Sequence, residues 1–139
     1  MSNTDTDIET FRQEARAWIK ANLEPRPKAS ATGRLAREAS TPEDTAKARV
    51  PQRKLFDAGW AGLSYPAEYG GRGLTALHER VWREEALDYY TPDFGVAGSV
   101  TFGAIGRSLV AHCTPEFCAD HVPKILSGEE VWCQFYSEP

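Results

Sequence analysis

Three triplets of one kind punctuate this chain: Thr41-Pro42-Glu43, Thr91-Pro92-Asp93 and Thr114-Pro115-Glu116. Each sets a hydroxyl where a helix needs a cap, a proline at the first helical position and an acid near the positive end of the dipole. A chain so marked folds as a succession of helices. Thr6-Asp7-Ile8-Glu9 adds an earlier start, a capping-box pattern in which hydroxyl and carboxylate cover free N–H groups. Ile8, Phe11, Ala15, Trp18 and Leu23 then share one helical face, and Pro25 and Pro27 stop the helix.

The Thr41 triplet opens a second helix that runs to Asp57 and stops before Gly59, although Pro51 inside it offers another start. Residues 24–40 read as a connection. Residues 59–73 form a turn-rich loop, long enough to be structurally specialised or functional. A third helix spans about Leu74 to Tyr89, with Leu77, Val81, Ala86 and Tyr89 on its buried side. The fourth, about Phe94 to His112, holds Gly95, Gly98, Gly103 and Gly106 among apolar residues, with almost no charge before Arg107. Each interior glycine costs about 1 kcal/mol against alanine. Such a helix is maintained when a backbone or a ligand packs closely on it. A fifth helix runs from Thr114 to Gly128. The expected fold class is therefore all-α, about five helices, ending in one orphan β-strand.

That strand is the run Val131-Trp132-Cys133-Gln134-Phe135-Tyr136-Ser137-Glu138-Pro139. Val131, Cys133 and Phe135 face one way in an extended chain, and Trp132, Gln134 and Tyr136 the other. Both faces carry large apolar groups, and one strand makes no sheet. Leaving three aromatic side chains in water forfeits on the order of 10 kcal/mol. The run therefore calls for further protein to pair with, and residues 1–129 and 130–139 divide into a helical domain and the start of another.

Bulk properties narrow the function by exclusion. A net charge of -4 argues against a nucleic-acid partner. No apolar run approaches the ~20 residues of a membrane span. Met1 to Asp7 is polar and acidic, unlike a signal peptide, which points to a cytoplasmic protein. Cys113, Cys118 and Cys133 match no metal-ligand spacing and read as reduced thiols. Glu84-Glu85 lie about 100° apart on a helix and cannot share a proton, so they read as a salt-bridged face near Arg80 and Arg83. His78, His112 and His121 belong to no catalytic motif, and Tyr69-Gly70-Gly71-Arg72-Gly73 lacks the strand-before, helix-after setting of a dinucleotide loop. Local chemistry alone thus reaches a soluble helical domain, with no catalytic residue and no metal.

Three segments carry more. Gly59 to Leu74, GWAGLSYPAEYGGRGL, resembles the "GW-GL--P-EYGGRGL" loop of the acyl-CoA dehydrogenase family. His121 to Glu129 resembles that family's "YLPKILSGE" helix end, and Trp132 to Pro139 the opening of its flavin signature, "WCQ-FSEPGAGSD". Cys113-Thr114-Pro115-Glu116 departs from the usual "G-T-E-E", which alters a cap. The resemblance implies an N-terminal helical domain followed by the first strand of a middle β-domain. It implies FAD as cofactor and an acyl-CoA substrate that loses hydrogens from Cα and Cβ, the first as a proton to a glutamate, the second as hydride to the flavin. Gln134, Tyr136 and Ser137 align with the residues at the flavin's polar edge. Phe94, Val96, Val100, Gly103 and Ala104 align with the helix lining the acyl pocket. The catalytic glutamate aligns with nothing in this chain, so the resemblance implies inactivity alone and a need for the β and C-terminal helical domains or a partner chain. A non-catalytic partner subunit, or part of a flavin-dependent oxidase or hydroxylase on the same scaffold, are the alternatives. Acyl length and electron acceptor stay open.

Overall fold

In a computed structural model of the chain, the backbone is described over residues 3–27 and 41–134, and side chains from residue 7 onward. Among these residues the fold is all-α, as the caps predict. The helices are α1 (Asn3–Asn22), α2 (Pro42–Asp57), α3 (Ala76–Glu85), α4 (Gly95–Gly98), α5 (Gly106–His112) and α6 (Pro115–Leu126). A π-helix over Ser99–Ile105 joins α4 to α5, so residues 95–112 form one helical run. Five longer helical stretches result among the described residues, with a single 3₁₀ turn over Ala67–Tyr69 besides. Pro25 and Tyr89 make an isolated antiparallel bridge, and no strand ladder occurs there.

Two triplets cap as expected. Thr41 Oγ1 accepts from the Asp44 N–H at 3.1 Å, and the Asp44 carboxylate accepts from the Thr41 N–H at 3.3 Å. Thr114 Oγ1 accepts from the Phe117 N–H at 3.3 Å. The third departs. After Thr91-Pro92-Asp93 the helix waits until Gly95, whose N–H donates to Asp93 Oδ1 at 2.8 Å and whose φ is +57°. An aspartate-centred turn and a glycine in the left-handed region together replace the threonine cap. The rearrangement carries Phe94 into the core.

Other boundaries shift for local reasons. α1 begins at Asn3, three residues before Thr6. α2 continues through Pro51 with Ala48, Gln52 and Leu55 buried around it. α3 is shorter than residues 74–89. Thr75 and His78 pair across its first turn, Oγ1 to Nδ1 at 2.8 Å. The chain leaves the helix after Glu85 so that Tyr89 faces Pro25 and the Tyr90 N–H donates to the Glu24 carbonyl at 2.9 Å. Leu77, expected on the buried side, is exposed, and Trp82 is buried along with Val81 and Ala86.

The chain divides into two compact units. One contains α1 and α3. Phe11, Ala15 and Ile19 are buried on α1, with Ile19 taking the place expected of Leu23. Trp18 and Trp82 meet with ring centroids 5.8 Å apart. Glu85 accepts from Arg12 Nη1 at 2.8 Å and from Arg16 Nε at 2.8 Å, and Glu84 from Arg12 Nη2 at 3.1 Å. The acidic pair is thus salt-bridged, yet mainly by α1; of the two nearby arginines, Arg80 bonds Glu84 at 3.0 Å, and Arg83 donates to the Glu79 carbonyl.

The second unit contains α2, the loop 59–73 and α4 to α6. Its core is Tyr65, Tyr69, Ile105, Leu109, Cys118, Val122, Ile125 and Leu126. α2 closes the C-terminus of α6. Gln52 Nε2 donates to the Leu126 carbonyl at 2.6 Å, and Arg49 Nη1 donates to the carbonyls of Gly128, at 2.6 Å, and Glu129. A guanidinium at a helix C-terminus satisfies orphan carbonyls and complements the dipole.

Candidate functional site

The glycine-rich run leaves α-helical geometry because of Tyr65. This tyrosine is buried in the loop 59–73, and its hydroxyl donates to the Phe102 carbonyl at 2.6 Å. In an α-helix that carbonyl takes the N–H four residues on, from Gly106. Here the Gly106 N–H instead bonds Thr101, five residues back. A side chain entering the ladder has widened the turn. Glycines clear the space: a Cβ on Gly106 would lie 2.5 Å from the Tyr65 hydroxyl, and one on Gly71 only 2.2 Å from the Tyr65 carbonyl oxygen. Close packing therefore explains Gly106. It does not explain Gly103, where a Cβ would meet nothing within 4 Å.

Within the π-helix, Thr101 is fully buried and its hydroxyl binds another segment. Oγ1 donates to the Trp132 carbonyl and accepts from the Trp132 N–H, both at 3.0 Å. The start of the terminal run is thereby held to the glycine-rich helix. The indole is held as well. Trp132 Nε1 donates to Glu130 Oε2 at 2.9 Å, and His121 Nδ1 lies 3.0 Å from the same oxygen. The His121 and Trp132 rings meet edge to face at 5.5 Å. Burial pushes the Glu130 carboxyl upward, but the hydrogen bonds from His121 and Trp132 and the charges of His121 and Lys124 outweigh it and hold the group below its ordinary range.

The residues singled out in the sequence distribute as follows. Val96, Gly103 and Ala104 lie on the exposed side of the helical run, Val96 at 53% exposure. Val100 is half-buried, and it and Trp132 both pack on the core. Phe94 points inward and meets Phe102 with centroids 5.4 Å apart. Gln134 is exposed, and Tyr136 and Ser137 lie outside the described residues. The outward face from Val96 to Ala104 is small and uncharged. Thr101 and Tyr65, which shape that face, escaped notice because a hydroxyl's partner is invisible until the fold brings it close. A recess lined by Ser64, Tyr65, Pro66, Arg107, Val110 and Ala111 measures only about 120 Å³, and Arg107 bonds Ser64 across it at 2.8 Å. That is well below the roughly 300–1,000 Å³ of ligand pockets.

A helical domain with a specialised loop, a glycine-rich run and a trailing aromatic segment defines a class before any name. Residues 5–129 match the family described as "Acyl-CoA dehydrogenase, N-terminal domain". The chain belongs to the acyl-CoA dehydrogenase family, as its N-terminal domain. It is 35% identical over 138 residues to acyl-CoA dehydrogenase IpdE1 of Mycolicibacterium smegmatis, covering 96% of this chain and 33% of that protein. It is 34% identical to IpdE1 of Mycobacterium tuberculosis, covering 96% and 34%. The chain spans about a third of the length of these curated relatives. Two solved structures share the fold. The Tcur3481-Tcur3483 steroid ACAD variant matches with a TM-score of 0.59 at 24% identity, over 91% of this chain and 30% of that one. The ChsE4-ChsE5 complex from Mycobacterium tuberculosis matches with a TM-score of 0.55 at 22% identity, over 88% and 28%.

Proposed function

We propose that this chain forms the helical wall of the acyl site and the first edge of the flavin site in an FAD-dependent acyl-CoA dehydrogenase. The carrying observation is a juxtaposition: Thr101, in the glycine-rich run, clasps Trp132, so the small uncharged face and the segment leading to Gln134 belong to one compact unit. Val96, Gly103 and Ala104 offer an acyl chain a surface without charge or bulk, and Phe94 and Val100 back it from the core side. Gln134 leaves the clasp exposed, with an amide that can both donate and accept. That donor and acceptor pair suits the alternating N–H and carbonyl groups on the polar edge of a flavin ring, and Tyr136 and Ser137, outside the described residues, would add to it. Bound FAD supplies the hydride acceptor.

The α-proton needs a base from elsewhere. Glu130, the acid beside the Trp132 segment, is engaged by His121 and the indole and held below its ordinary range, which makes it a weak proton acceptor. The chain therefore acts with the β and C-terminal helical domains of its family, or with a partner chain that brings them. The solved structures bear on this: one is the ChsE4-ChsE5 complex and the other the Tcur3481-Tcur3483 steroid ACAD. A partner-subunit role, with this chain completing a larger relative, is the second reading and rests on those two structures.

Acyl-CoA-dependent dye reduction tests the proposal across a panel from short chains to steroid side chains. The purified 139-residue chain is expected to show no turnover. With FAD and a polypeptide carrying the remaining domains, turnover is expected. Robust activity from the chain alone overturns the account, as does a flavin-loaded assembly that oxidises none of the panel.

A further inference from the structure

We propose that Thr101 is a positioning residue: its hydroxyl, clasping both backbone polar groups of Trp132, sets the register of the segment that carries the flavin-edge residues. The proposal rests on the flavin reading above and names the side chain that aligns that edge. A threonine inside a helix commonly returns its hydroxyl to the carbonyl one turn back. Thr101 turns it to a segment 31 residues away. One hydroxyl offers one O–H and two lone pairs, so donating to the Trp132 carbonyl and accepting from its N–H satisfies a fully buried group.

The chosen residue matters. Exchanging both backbone bonds with one residue is how neighbouring strands define register in a sheet. In an extended chain, residues two apart present their N–H and carbonyl along the same edge. Trp132 and Gln134 then share an edge, and a slip of one residue would present Cys133 instead. The indole blocks that slip, because Glu130 accepts from Trp132 Nε1 at 2.9 Å while His121 and Phe117 pack on the ring. The hydroxyl thus grips the backbone, and the indole identifies which residue it grips.

Two measurements on Thr101 variants separate register from stability. Hydrogen exchange at the Trp132 amide reads the clasp in the chain itself. FAD affinity reads register in the assembly with the remaining domains. Thr101→Val is expected to lower Trp132 protection and to weaken FAD binding, each by about tenfold. Thr101→Ser is expected to restore both to within about twofold, and Thr101→Cys, with a weaker donor, to fall between. The order Thr ≈ Ser > Cys > Val in FAD affinity is not what a general loss of stability produces, and its first three members stand if the valine variant does not fold. Unchanged exchange at Trp132 overturns the clasp. Exchange that follows the order while FAD affinity stays constant overturns the positioning role. A wild-type assembly that binds no FAD overturns the flavin reading and this one together, and is recognised before any substitution is made.

Discussion

Gly103 and Gly106 sit nearly one turn apart on the same helical run and serve opposite ends. Gly106 makes room for the Tyr65 hydroxyl, and Gly103 faces open space. Alanine at the two positions should therefore change stability in opposite directions. Gly103→Ala should stabilise the chain by about 0.5–1 kcal/mol, the ordinary gain of alanine over glycine in a helix. Gly106→Ala should destabilise it by about 1–3 kcal/mol, because Tyr65 must leave the Phe102 carbonyl or the helix must move. Denaturant midpoints at constant slope measure both. The sequence shows that these glycines are costly but cannot rank them, since the occupant at Gly106 comes from the loop before α3. The same limit hid Thr101, whose partner lies in the terminal run.

At the scale of elements, α1 and α3 are joined through Glu85, which accepts from Arg12 and Arg16. The Arg16 hydrogen bond is the largest influence on its carboxyl; burial opposes it, Arg12 adds to it, and the result lies below the ordinary glutamate range. A folded-state value below the unfolded one gives stability that is complete above the ordinary glutamate pKa and lost as pH falls through the lowered value. Glu85→Gln should cost about 1–2 kcal/mol at pH 7, and the gap to wild type should close on acidification below about pH 4. Urea denaturation at pH 7 and pH 3 decides; a gap independent of pH contradicts the pairing. The helices themselves were largely legible from their caps. Thr41 and Thr114 behave as their triplets predict, because their bonds are made within the next turn. Thr91 does not, because Gly95 offers the backbone another turn, and α3 ends early because Tyr89 and Tyr90 answer to Pro25 and Glu24. Local chemistry predicts caps; it does not see competitors drawn from other segments.

At the scale of the molecule, the family was readable from three short segments, and the match over residues 5–129 establishes it. The site was readable only in outline. Gln134 and the residues from Phe94 to Ala104 were named by resemblance, and their placement divides them into an inward pair, Phe94 and Val100, and an outward set, Val96, Gly103 and Ala104. Periodicity could not make that division, because the π-helix over Ser99–Ile105 rotates the later residues away from α-helical spacing. The central claim is that the outward set lines the acyl site. Gly103→Phe tests it most directly, since the position is open and the chain should fold unchanged. Acyl-CoA-dependent flavin reduction would be measured in the assembled enzyme across acyl chains of increasing size. The account predicts a Tm within a few degrees of wild type, with kcat/KM falling at least tenfold for the bulkiest accepted substrate and much less for the smallest. A kcat/KM profile identical to wild type at every acyl size would contradict it.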